Sequence, residues 1–452
     1  MKIVVINGSP KSNDSVTMQY VKYLENKFDD VDFETINVGK YINKLEKNEE
    51  FFLETMDKIS GADGLIWAYP VYVLLVPYQL KRFMEMITER GMDEVLSGIY
   101  ATSISTSAHF YDQTAHDFMH ASSEDMGMKY RQGYSAAMYD LTEADKRKNF
   151  VLFFKRFLHY IENGIHTPRR YPQLKEMDNV FLLDPGPATP LKHRGNIVVL
   201  TDARDEDENL RSMIDAFVKR APAKVNIYNL NDIEIRGGCL GCIMCAYDGQ
   251  CVYKDDFEEF VRDKVNVADA LVYAGRIEGR YLSSRWKLFF DRSFFNGHRP
   301  VNMGKQIGFL ISGPLSLNGN LDTILKAIPE VGMMNMVDIV SDESQDPMKD
   351  IERMAQDMCW GMENRFVMPD NFLGVGGHKV FRDLIYNMGF IFRADHRYYK
   401  QKGLYDFPQK DYKARMMNIF LGPLLTIPQV RKGFMDKAKE GMLMPFQKVM
   451  DK

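Results

Sequence analysis

The sequence predicts an α/β protein with two doubly wound parallel sheets, followed by a mostly helical C-terminal extension. Three observations support this fold class. Short runs rich in valine and isoleucine alternate with amphipathic stretches, as in parallel strands connected by helices. The first such run, at residues 2–7, ends directly in a glycine turn. The same pattern restarts at residue 195, so the chain contains an internal repeat.

The first copy alternates strands and helices from its first residues. Apolar runs with strand character lie at 2–7, 32–37, 64–69, 98–105 and 130–137. Helical spacing occupies the intervening segments at 17–28, 48–58, 77–90 and 112–127. A sheet with strand order 2-1-3-4-5 accommodates this pattern and binds its ligands at the switch point between strands one and three.

The second copy aligns with the first segment by segment. NIVVLTD (196–202) resembles KIVVING, ADALVYAG (268–275) aligns with ADGLIWAY, and LSSRWKLFFDR (282–292) aligns with PYQLKRFMEM. Proline is dense and periodicity is lost between the copies, which indicates a linker. We therefore predict four regions, at residues 1–165 (first α/β domain), 166–194 (linker), 195–345 (second α/β domain) and 346–452 (basic helical extension).

Composition restricts the function classes. The 452 residues are 45% hydrophobic and 27% charged, which is ordinary for a soluble globular protein and excludes a disordered or fibrous chain. The formal charge of −4 argues against a general nucleic-acid binder. This total hides an asymmetry, because residues 371–452 contain 15 Lys and Arg against 7 Asp and Glu.

Targeting signals are not evident in the sequence. The N-terminal apolar run is too short for a signal peptide, and the uncharged apolar stretch at 416–430 is too short and too rich in proline to span a bilayer. Four of the five cysteines lie in one short window, unlike a secreted disulfide framework. We therefore expect a reducing, cytoplasmic location, and the 29 methionines are compatible with an anaerobe.

Three loops of the first copy follow strands and should meet at one edge of its sheet. GSPKSNDSVT (8–17) offers hydroxyls and free amides at a helix start, which can hold a phosphate dianion. YPVYVLLVP (69–77) and STSAHFYD (105–112) offer tyrosines and hydroxyls that can flank a planar ring. The alternatives are a plain capped helix, ordinary buried aromatics and a structural histidine. The candidate cofactor-binding residues are Ser9, Pro10, Ser15, Val16, Thr17, Tyr69, Pro70, Val71, Tyr72, Ser105, Thr106, Ser107, His109 and Tyr111.

These three loops, in this order and spacing, resemble the flavodoxin-like NAD(P)H-dependent FMN reductase family over about residues 1–140. The resemblance implies a flavodoxin-like fold, an FMN cofactor and oxidoreductase activity, with NAD(P)H as a possible electron donor. The phosphate loop departs from the family, because it ends in Ser15-Val16-Thr17 rather than the commoner Gly-Asn-Thr.

The second copy contains the segment CLGCIMCAYDGQC. Its thiols, Cys239, Cys242, Cys245 and Cys251, follow the spacing C-x2-C-x2-C-x5-C. Thiolates this close in sequence suit a 4Fe-4S cluster, whereas a structural zinc ion usually takes two separated cysteine pairs. Zinc and free redox thiols remain the alternatives. The segment and its flanks resemble the iron-sulfur flavoproteins over about residues 195–315, which implies that these four residues are cluster ligands.

Each copy is predicted to keep one redox centre. The phosphate turn of the second copy has become TDARDEDEN (201–209), whose carboxylates would repel a phosphate, and its ring loop has become GRIEGRY (275–281). The first 150 residues contain no cysteine. Iron-sulfur flavoproteins are expected, by resemblance, to place one protomer's cluster near another's flavin, so a tandem fusion would form a pseudo-dimer.

The sequence thus predicts an iron-sulfur flavoprotein oxidoreductase that reduces a small acceptor with electrons from NAD(P)H or ferredoxin. The alternatives are an electron carrier without a small-molecule substrate and a zinc-stabilised flavoprotein. No catalytic acid or base is assigned, and a homo-oligomer is possible. For the basic tail we expect solvated helix faces or docking onto the acidic front of the chain. The alternatives are a lid over the flavin and a docking site for an acidic partner. For 416–430 we expect packing in the core or over the flavin, and the alternative is a position on a membrane interface.

Overall fold

The computed structural model describes residues 1–175, 183–184, 186–437, 446 and 450. The chain divides into two compact units, Met1–His396 and Arg397–Lys452. No helix among the described residues is both long and apolar enough to cross a membrane. Part of the predicted linker, at 176–182 and 185, lies outside the described residues.

The first sheet has the predicted topology. Its strands run in the order β2-β1-β3-β4-β5, and β6 also pairs with β4, so the last position is shared by two short strands. All pairings are parallel. The strands are β1 (Lys2–Asn7), β2 (Asp32–Ile36), β3 (Gly64–Pro70), β4 (Tyr100–Ser107), β5 (Lys129–Tyr130) and β6 (Tyr134–Ala137). The helices are α1 (Val16–Glu25), α2 (Val38–Lys47), α3 (Glu49–Ser60), α4 (Tyr78–Glu89), α5 (Asp112–Asp125) and α6 (Ala144–Glu162).

The second sheet repeats this order. Read from β8, its strands run β8-β7-β9-β11-β12, which corresponds to 2-1-3-4-5, and β10 adds a short antiparallel pair to β9. The strands are β7 (Asn196–Thr201), β8 (Lys224–Asn229), β9 (Ala270–Glu278), β10 (Tyr281–Leu282), β11 (Gln306–Ser312) and β12 (Asn335–Ser341). The helices are α7 (Glu208–Arg220), α8 (Cys245–Asp248), α9 (Phe257–Phe260), α10 (Ser284–Arg292), α11 (Gly319–Val331) and α12 (Pro347–Asn364). The predicted fold class is confirmed.

The remaining helices form the C-terminal region. They are α13 (Phe372–Asn387), α14 (Arg393–Lys402), α15 (Tyr412–Leu424) and α16 (Pro428–Asp436). The extension is mostly helical, as predicted. Helix α12, the first helix of the predicted extension at 346–452, packs against α7 and β12 and buries Cys359 in the apolar layer on that face of the second sheet.

The two sheets share one hydrophobic core. Apolar residues of both, such as Trp67 on β3 and Leu271 on β9, belong to the same buried cluster. The central strands β1 and β3 are almost entirely buried, as expected for parallel strands covered on both faces. Helices α4 and α10, which the sequence alignment pairs as equivalents, pack against each other across this core.

A buried ion pair on α4 reaches into the second domain. Lys81 Nζ lies 2.6 Å from Glu85 Oε1 and also donates a 3.0 Å hydrogen bond to the carbonyl oxygen of Glu278. Glu85 Oε1 accepts a 2.6 Å hydrogen bond from the backbone N–H of Ser284, the first residue of α10. The pair therefore caps a helix of the opposite domain.

The equivalent pair on α10 makes the same contacts in reverse. Lys287 is bonded to Asp291 and donates a 2.8 Å hydrogen bond to the carbonyl oxygen of Tyr72. Asp291 Oδ2 accepts a 2.7 Å hydrogen bond from the N–H of Tyr78, the first residue of α4. Such reciprocal contacts are the property of an isologous, two-fold interface. Helices α4 and α10 therefore contact each other reciprocally between the two sheets.

Candidate functional site

The first predicted loop forms a compact turn between β1 and α1. Ser15 caps α1 by accepting a 3.2 Å hydrogen bond from the N–H of Met18. Ser9 is fully buried, and the hydroxyls of Thr17 and Thr106 are 2.6 Å apart, so this turn is joined to the end of β4. Free N–H groups and hydroxyls at a helix start suit a phosphate.

Close packing requires glycine where this turn begins. A Cβ added at Gly8 would lie 2.7 Å from Leu80, and one added at Gly39 would lie 2.5 Å from the carbonyl oxygen of Gly8. The backbone after β1 is thereby pressed between α2 and α4. Of the other predicted residues of this turn, Pro10 is half-buried and Val16 is exposed.

The second loop contains a strained turn. The backbone N–H groups and carbonyls of Tyr72 and Leu75 exchange hydrogen bonds of 2.8 and 3.1 Å. The two residues between them, Val73 and Leu74, have φ of +40° and +63°. This conformation is unfavourable for a β-branched side chain, and such outliers cluster at ligand sites. The turn is held by the hydroxyl of Thr114, which donates to the carbonyl oxygen of Leu74.

The two tyrosines predicted to flank a ring have different environments. Tyr69 is fully buried in β3, with its ring 6.0 Å from that of His116. Tyr72 is half-buried. Burial is the main cause, and the nearby Cys239 a smaller one, of a pKa of its hydroxyl well above the ordinary value. Between them, Pro70 ends β3, and the N–H of Val71 donates a 3.2 Å hydrogen bond to the carbonyl oxygen of Thr106.

The third loop is fixed by side chains at the start of α5. Ser107 accepts a 2.9 Å hydrogen bond from the N–H of His109, whose Nδ1 lies 2.9 Å from Asp112. Burial raises the pKa of Asp112, but the His109 and Ser135 hydrogen bonds outweigh burial and lower it overall. His109 is exposed and keeps φ of +56°.

A second histidine, which the sequence analysis did not single out, lies beneath this loop. His116 Nε2 lies 2.8 Å from the hydroxyl of Ser105, and its Nδ1 lies 3.1 Å from that of Ser103. Burial lowers the pKa of His116 to about 4, so it is neutral at physiological pH. Its role in the described contacts is to orient the polar end of β4.

The cysteine segment wraps around glycines and is surrounded by arginines. Gly241 and Gly249 have φ of +61° and +84°, where other residues are strained. Arg262 donates a 2.7 Å hydrogen bond to the carbonyl oxygen of Gly249, and Arg292 donates a 2.9 Å hydrogen bond to that of Gly237. Both arginines are also paired with carboxylates, Arg262 with Glu258 and Arg292 with Asp255, each at 2.8 Å.

The cysteine segment contacts the second loop of the first domain directly. A Cβ added at Gly241 would lie 1.9 Å from the hydroxyl oxygen of Tyr72, so backbone and phenol are in contact. Gln79 Nε2 donates a 3.2 Å hydrogen bond to the carbonyl oxygen of Cys239. A Cβ at Gly238 would lie 2.6 Å from the ring of Tyr78. The candidate flavin loop and the candidate cluster loop therefore form one cleft.

The four thiols of the cysteine segment differ in burial, because Cys239, Cys245 and Cys251 are partly buried whereas Cys242 is exposed. Burial, together with a smaller contribution from neighbouring thiols, raises the pKa of Cys239 and Cys245 to about 12. Cys242 contributes to both shifts and Cys251 to that of Cys245, so the four lie near one another. In the part of the chain that the structure describes, no three His, Cys, Asp or Glu side chains are gathered around one point for a single metal ion.

The equivalent of the phosphate turn in the second domain is occupied by a carboxylate. Asp202, which aligns with Gly8, is buried and accepts hydrogen bonds from Ser283 and, at 2.9 Å, from Trp286 Nε1. Burial raises its pKa to about 6. The following ring loop is replaced by the hairpin of β9 and β10. The residues of this turn do not fit a phosphate.

Residues 371–396, which belong to the first compact unit, contact the third loop and His298. The rings of Phe110 and Phe381 stack 4.0 Å apart, and the Tyr111 hydroxyl donates a 2.7 Å hydrogen bond to the carbonyl oxygen of Leu373. On the cluster side, Asp395 lies 3.1 Å from His298 Nδ1. Residues 371–396 thus pack on the third loop of the first domain, a contact that both the docking and the lid interpretations of the tail allow.

The contacts of several residues at this cleft were not predicted from the sequence. Lys287, Asp291 and Gln79 were treated as ordinary helix residues, and residue pairs such as His298 with Asp395 are far apart in sequence. The signal for the first two was present in the alignment of the copies, which places Lys287 on Lys81 and Asp291 on Glu85. A charged pair kept at the same position in two apolar helices indicates a buried interface.

Comparison with known proteins gives one family match and several relatives. Residues 1–139 match the model of the NADPH-dependent FMN reductase family. An iron-sulfur flavoprotein of Archaeoglobus fulgidus is 28% identical over 206 residues, covering 43% of this chain and 93% of that protein. One from Methanocaldococcus jannaschii is 27% identical over 108 residues, covering 23% of this chain and 53% of that protein. The family match supports an FMN-dependent oxidoreductase.

Solved structures give more distant similarities. A flavoenzyme NAD(P)H:(acceptor) oxidoreductase from Paracoccus denitrificans is 21% identical, with a TM-score of 0.31, over 36% of this chain and 97% of that one. An NAD(P)H:quinone oxidoreductase from Methanothermobacter marburgensis is 14% identical, with a TM-score of 0.30, over 39% of this chain and all of that one.

Proposed function

We propose that this chain is an iron-sulfur flavoprotein oxidoreductase in which a single tandem chain forms a pseudo-dimer. FMN would bind the three loops of the first domain, and Cys239, Cys242, Cys245 and Cys251 would hold a 4Fe-4S cluster. The observation that carries the proposal is the contact between Tyr72 and Gly241, which brings the candidate flavin loop against the cysteine loop. The relatives named iron-sulfur flavoprotein support the cluster assignment.

Different parts of the chain would bind the flavin, position its ring and surround the cluster. When bound, FMN supplies hydride or single-electron exchange, and the cluster supplies single-electron transfer. The phosphate turn and its Thr17–Thr106 contact would hold the flavin phosphate, while the turn at Val73 and Leu74 would set the ring position. Arg262 and Arg292 would offset the cluster's negative charge, and residues 371–396 would exclude water from the cleft.

Asp202 supports one flavin per chain. Its buried carboxylate stands where the second domain would otherwise present a phosphate turn, and a phosphate dianion next to it would be repelled. We therefore propose one FMN and one cluster per chain, with domain boundaries near residues 165, 195 and 345. The proposed location is cytoplasmic.

Anaerobic purification followed by cofactor analysis tests this function. We expect one FMN, with iron and acid-labile sulfide in equal amounts, and steady oxidation of NADH or NADPH with a quinone as acceptor. Zinc without sulfide, or two FMN per chain, would refute the proposal. Thr17→Val should lower FMN occupancy, whereas Thr323→Val, the matched control on α11, should not.

An electron carrier is the alternative function. The exposed thiol-bearing residue Cys242 lies at the surface of the cleft, where a protein partner could approach the cluster. Reduction of the purified protein by ferredoxin, together with the absence of NAD(P)H oxidation with any small acceptor, would select the carrier over the enzyme.

A further inference from the structure

The two C-terminal helices α15 and α16 expose many large apolar side chains. Apart from Leu425, every side chain described between residues 411 and 437 is exposed. Ile419 and Phe420 expose 61% and 62% of their surface. The other exposed apolar residues of these helices and their connection are Met416, Met417, Leu421, Leu424, Ile427, Val430, Phe434 and Met435. Apolar surface concentrated in this way marks an interaction site.

Basic residues flank this apolar segment on both sides. The stretch 416–430 contains no charged residue. Residues 411–437 carry five basic side chains, Lys413, Arg415, Arg431, Lys432 and Lys437, against two acidic ones, Asp411 and Asp436. The charge therefore lies at the two ends of an apolar centre, and a matching surface would be apolar inside and negatively charged at its boundary.

The helices are too short and too interrupted to span a bilayer. Pro423 lies inside α15, Pro428 begins α16, and no described helix meets the requirements for crossing a membrane. Segments with exposed apolar residues, basic flanks and insufficient length lie in the interface plane of a bilayer instead. Clusters of Lys and Arg next to such a segment favour leaflets that contain anionic lipids.

We propose that α15 and α16 bind the interface of an anionic lipid bilayer. Phe420, Ile419 and Leu424 would enter the boundary of the acyl chains, while Arg415, Arg431 and Lys432 would contact the headgroups. The proposal uses residues outside the redox cleft and goes beyond the proposed function. It would bring a flavin enzyme to a membrane surface, where lipid-soluble acceptors are concentrated.

Co-sedimentation of the full chain with vesicles tests this proposal. The vesicles would be phosphatidylcholine alone and phosphatidylcholine with about a third phosphatidylserine. We expect partitioning into the anionic vesicles to be about tenfold stronger than into the neutral ones, and to weaken as salt screens the basic residues. Phe420→Ser/Leu424→Ser should reduce it by at least about tenfold, because two apolar side chains that would enter the acyl-chain boundary are lost.

A matched variant on another exposed helix provides the control. Leu152 and Lys148 are exposed on α6, so Leu152→Ser/Lys148→Gln should sediment as the unchanged protein does. Equal binding of both variants, equal binding to neutral and anionic vesicles, or no binding to either would each overturn the proposal. So would a vesicle-free dimer that Phe420→Ser/Leu424→Ser dissociates, because a second copy would then cover this surface.

Discussion

Lys287 Nζ donates a 2.8 Å hydrogen bond to the carbonyl oxygen of Tyr72, joining a helix of the second domain to the strained turn of the first. The same turn contacts the cysteine segment through the Tyr72 hydroxyl. Tyr72 therefore contacts the second domain through its carbonyl oxygen and the candidate cluster loop through its hydroxyl, while it belongs to the candidate flavin loop. The position of that loop depends on how the two domains pack.

Replacing Lys287 should strongly destabilise the chain. Lys287→Met leaves the fully buried carboxylate of Asp291 without its cation and removes the Tyr72 hydrogen bond. Loss of one partner of a buried pair costs about 3–5 kcal/mol. Urea unfolding of the two proteins would measure this difference.

Lys326→Met is the matched control for that experiment. Lys326 makes an i, i+4 ion pair with Asp322 on α11, but both side chains are partly exposed. Its loss should cost no more than about 0.5 kcal/mol. Similar losses for the two variants would contradict a special role for the buried pair.

Gly241→Ala should disturb the cleft itself. The added Cβ would meet the Tyr72 hydroxyl at 1.9 Å at a residue with φ of +61°. We expect less iron and sulfide per chain, measured after anaerobic purification. Gly279→Ala is the control, because Gly279 has φ of +64° but no heavy atom within 4 Å of the added Cβ. Equal iron loss in both would attribute the effect to backbone strain alone.

Cys245→Ser should remove most of the iron and sulfide from the protein. The hydroxyl is a poor substitute for a thiolate ligand, so the visible absorbance of the cluster should fall with the metal content. Cys359→Ala tests a cysteine buried in the apolar layer beside α12. It should cost about 1 kcal/mol of stability without iron loss. Full iron content in Cys245→Ser would remove this residue from the ligand set.

Asp202 should make stability fall as pH rises. Burial raises the pKa of its carboxyl to about 6 in the folded chain, against about 3.9 when unfolded. Between these values the folded state binds more protons, so its extra stability is present below pH ~4 and is lost as pH rises through about 6. The free energy of unfolding should decline by up to about 3 kcal/mol over this range from this group.

Asp202→Asn isolates that contribution. The asparagine oxygen can still accept the hydrogen bond from Trp286 but does not titrate. Buried His116 acts in the opposite direction, because its lowered pKa favours the folded state as pH rises. Urea unfolding of both proteins should be measured at several pH values. The difference between their free energies of unfolding then excludes the contribution of His116, which both proteins share. Parallel pH profiles for the two proteins would show that Asp202 does not titrate in this range.

The alternation of apolar runs and amphipathic stretches was sufficient to predict both sheets and their order, because strand burial and helix periodicity are local patterns. It also located the three loops at one edge of the first sheet. It did not predict the environments within those loops. Tyr69 and Tyr72 have similar sequence contexts, yet one lies in the core and the other reaches the cysteine segment.

The sequence alone predicted an internal repeat with two parallel sheets and located the four clustered thiols in its second half, since repeats and cysteine spacing are properties of the chain itself. Only the tertiary structure decided which surfaces the copies share. The packing of α4 against α10 brings Tyr72 to Gly241, residues 169 positions apart, and the reciprocal pairs of Lys81 with Glu85 and Lys287 with Asp291 fix that packing. Contacts at such separation follow from complementary buried surfaces, which no local pattern encodes.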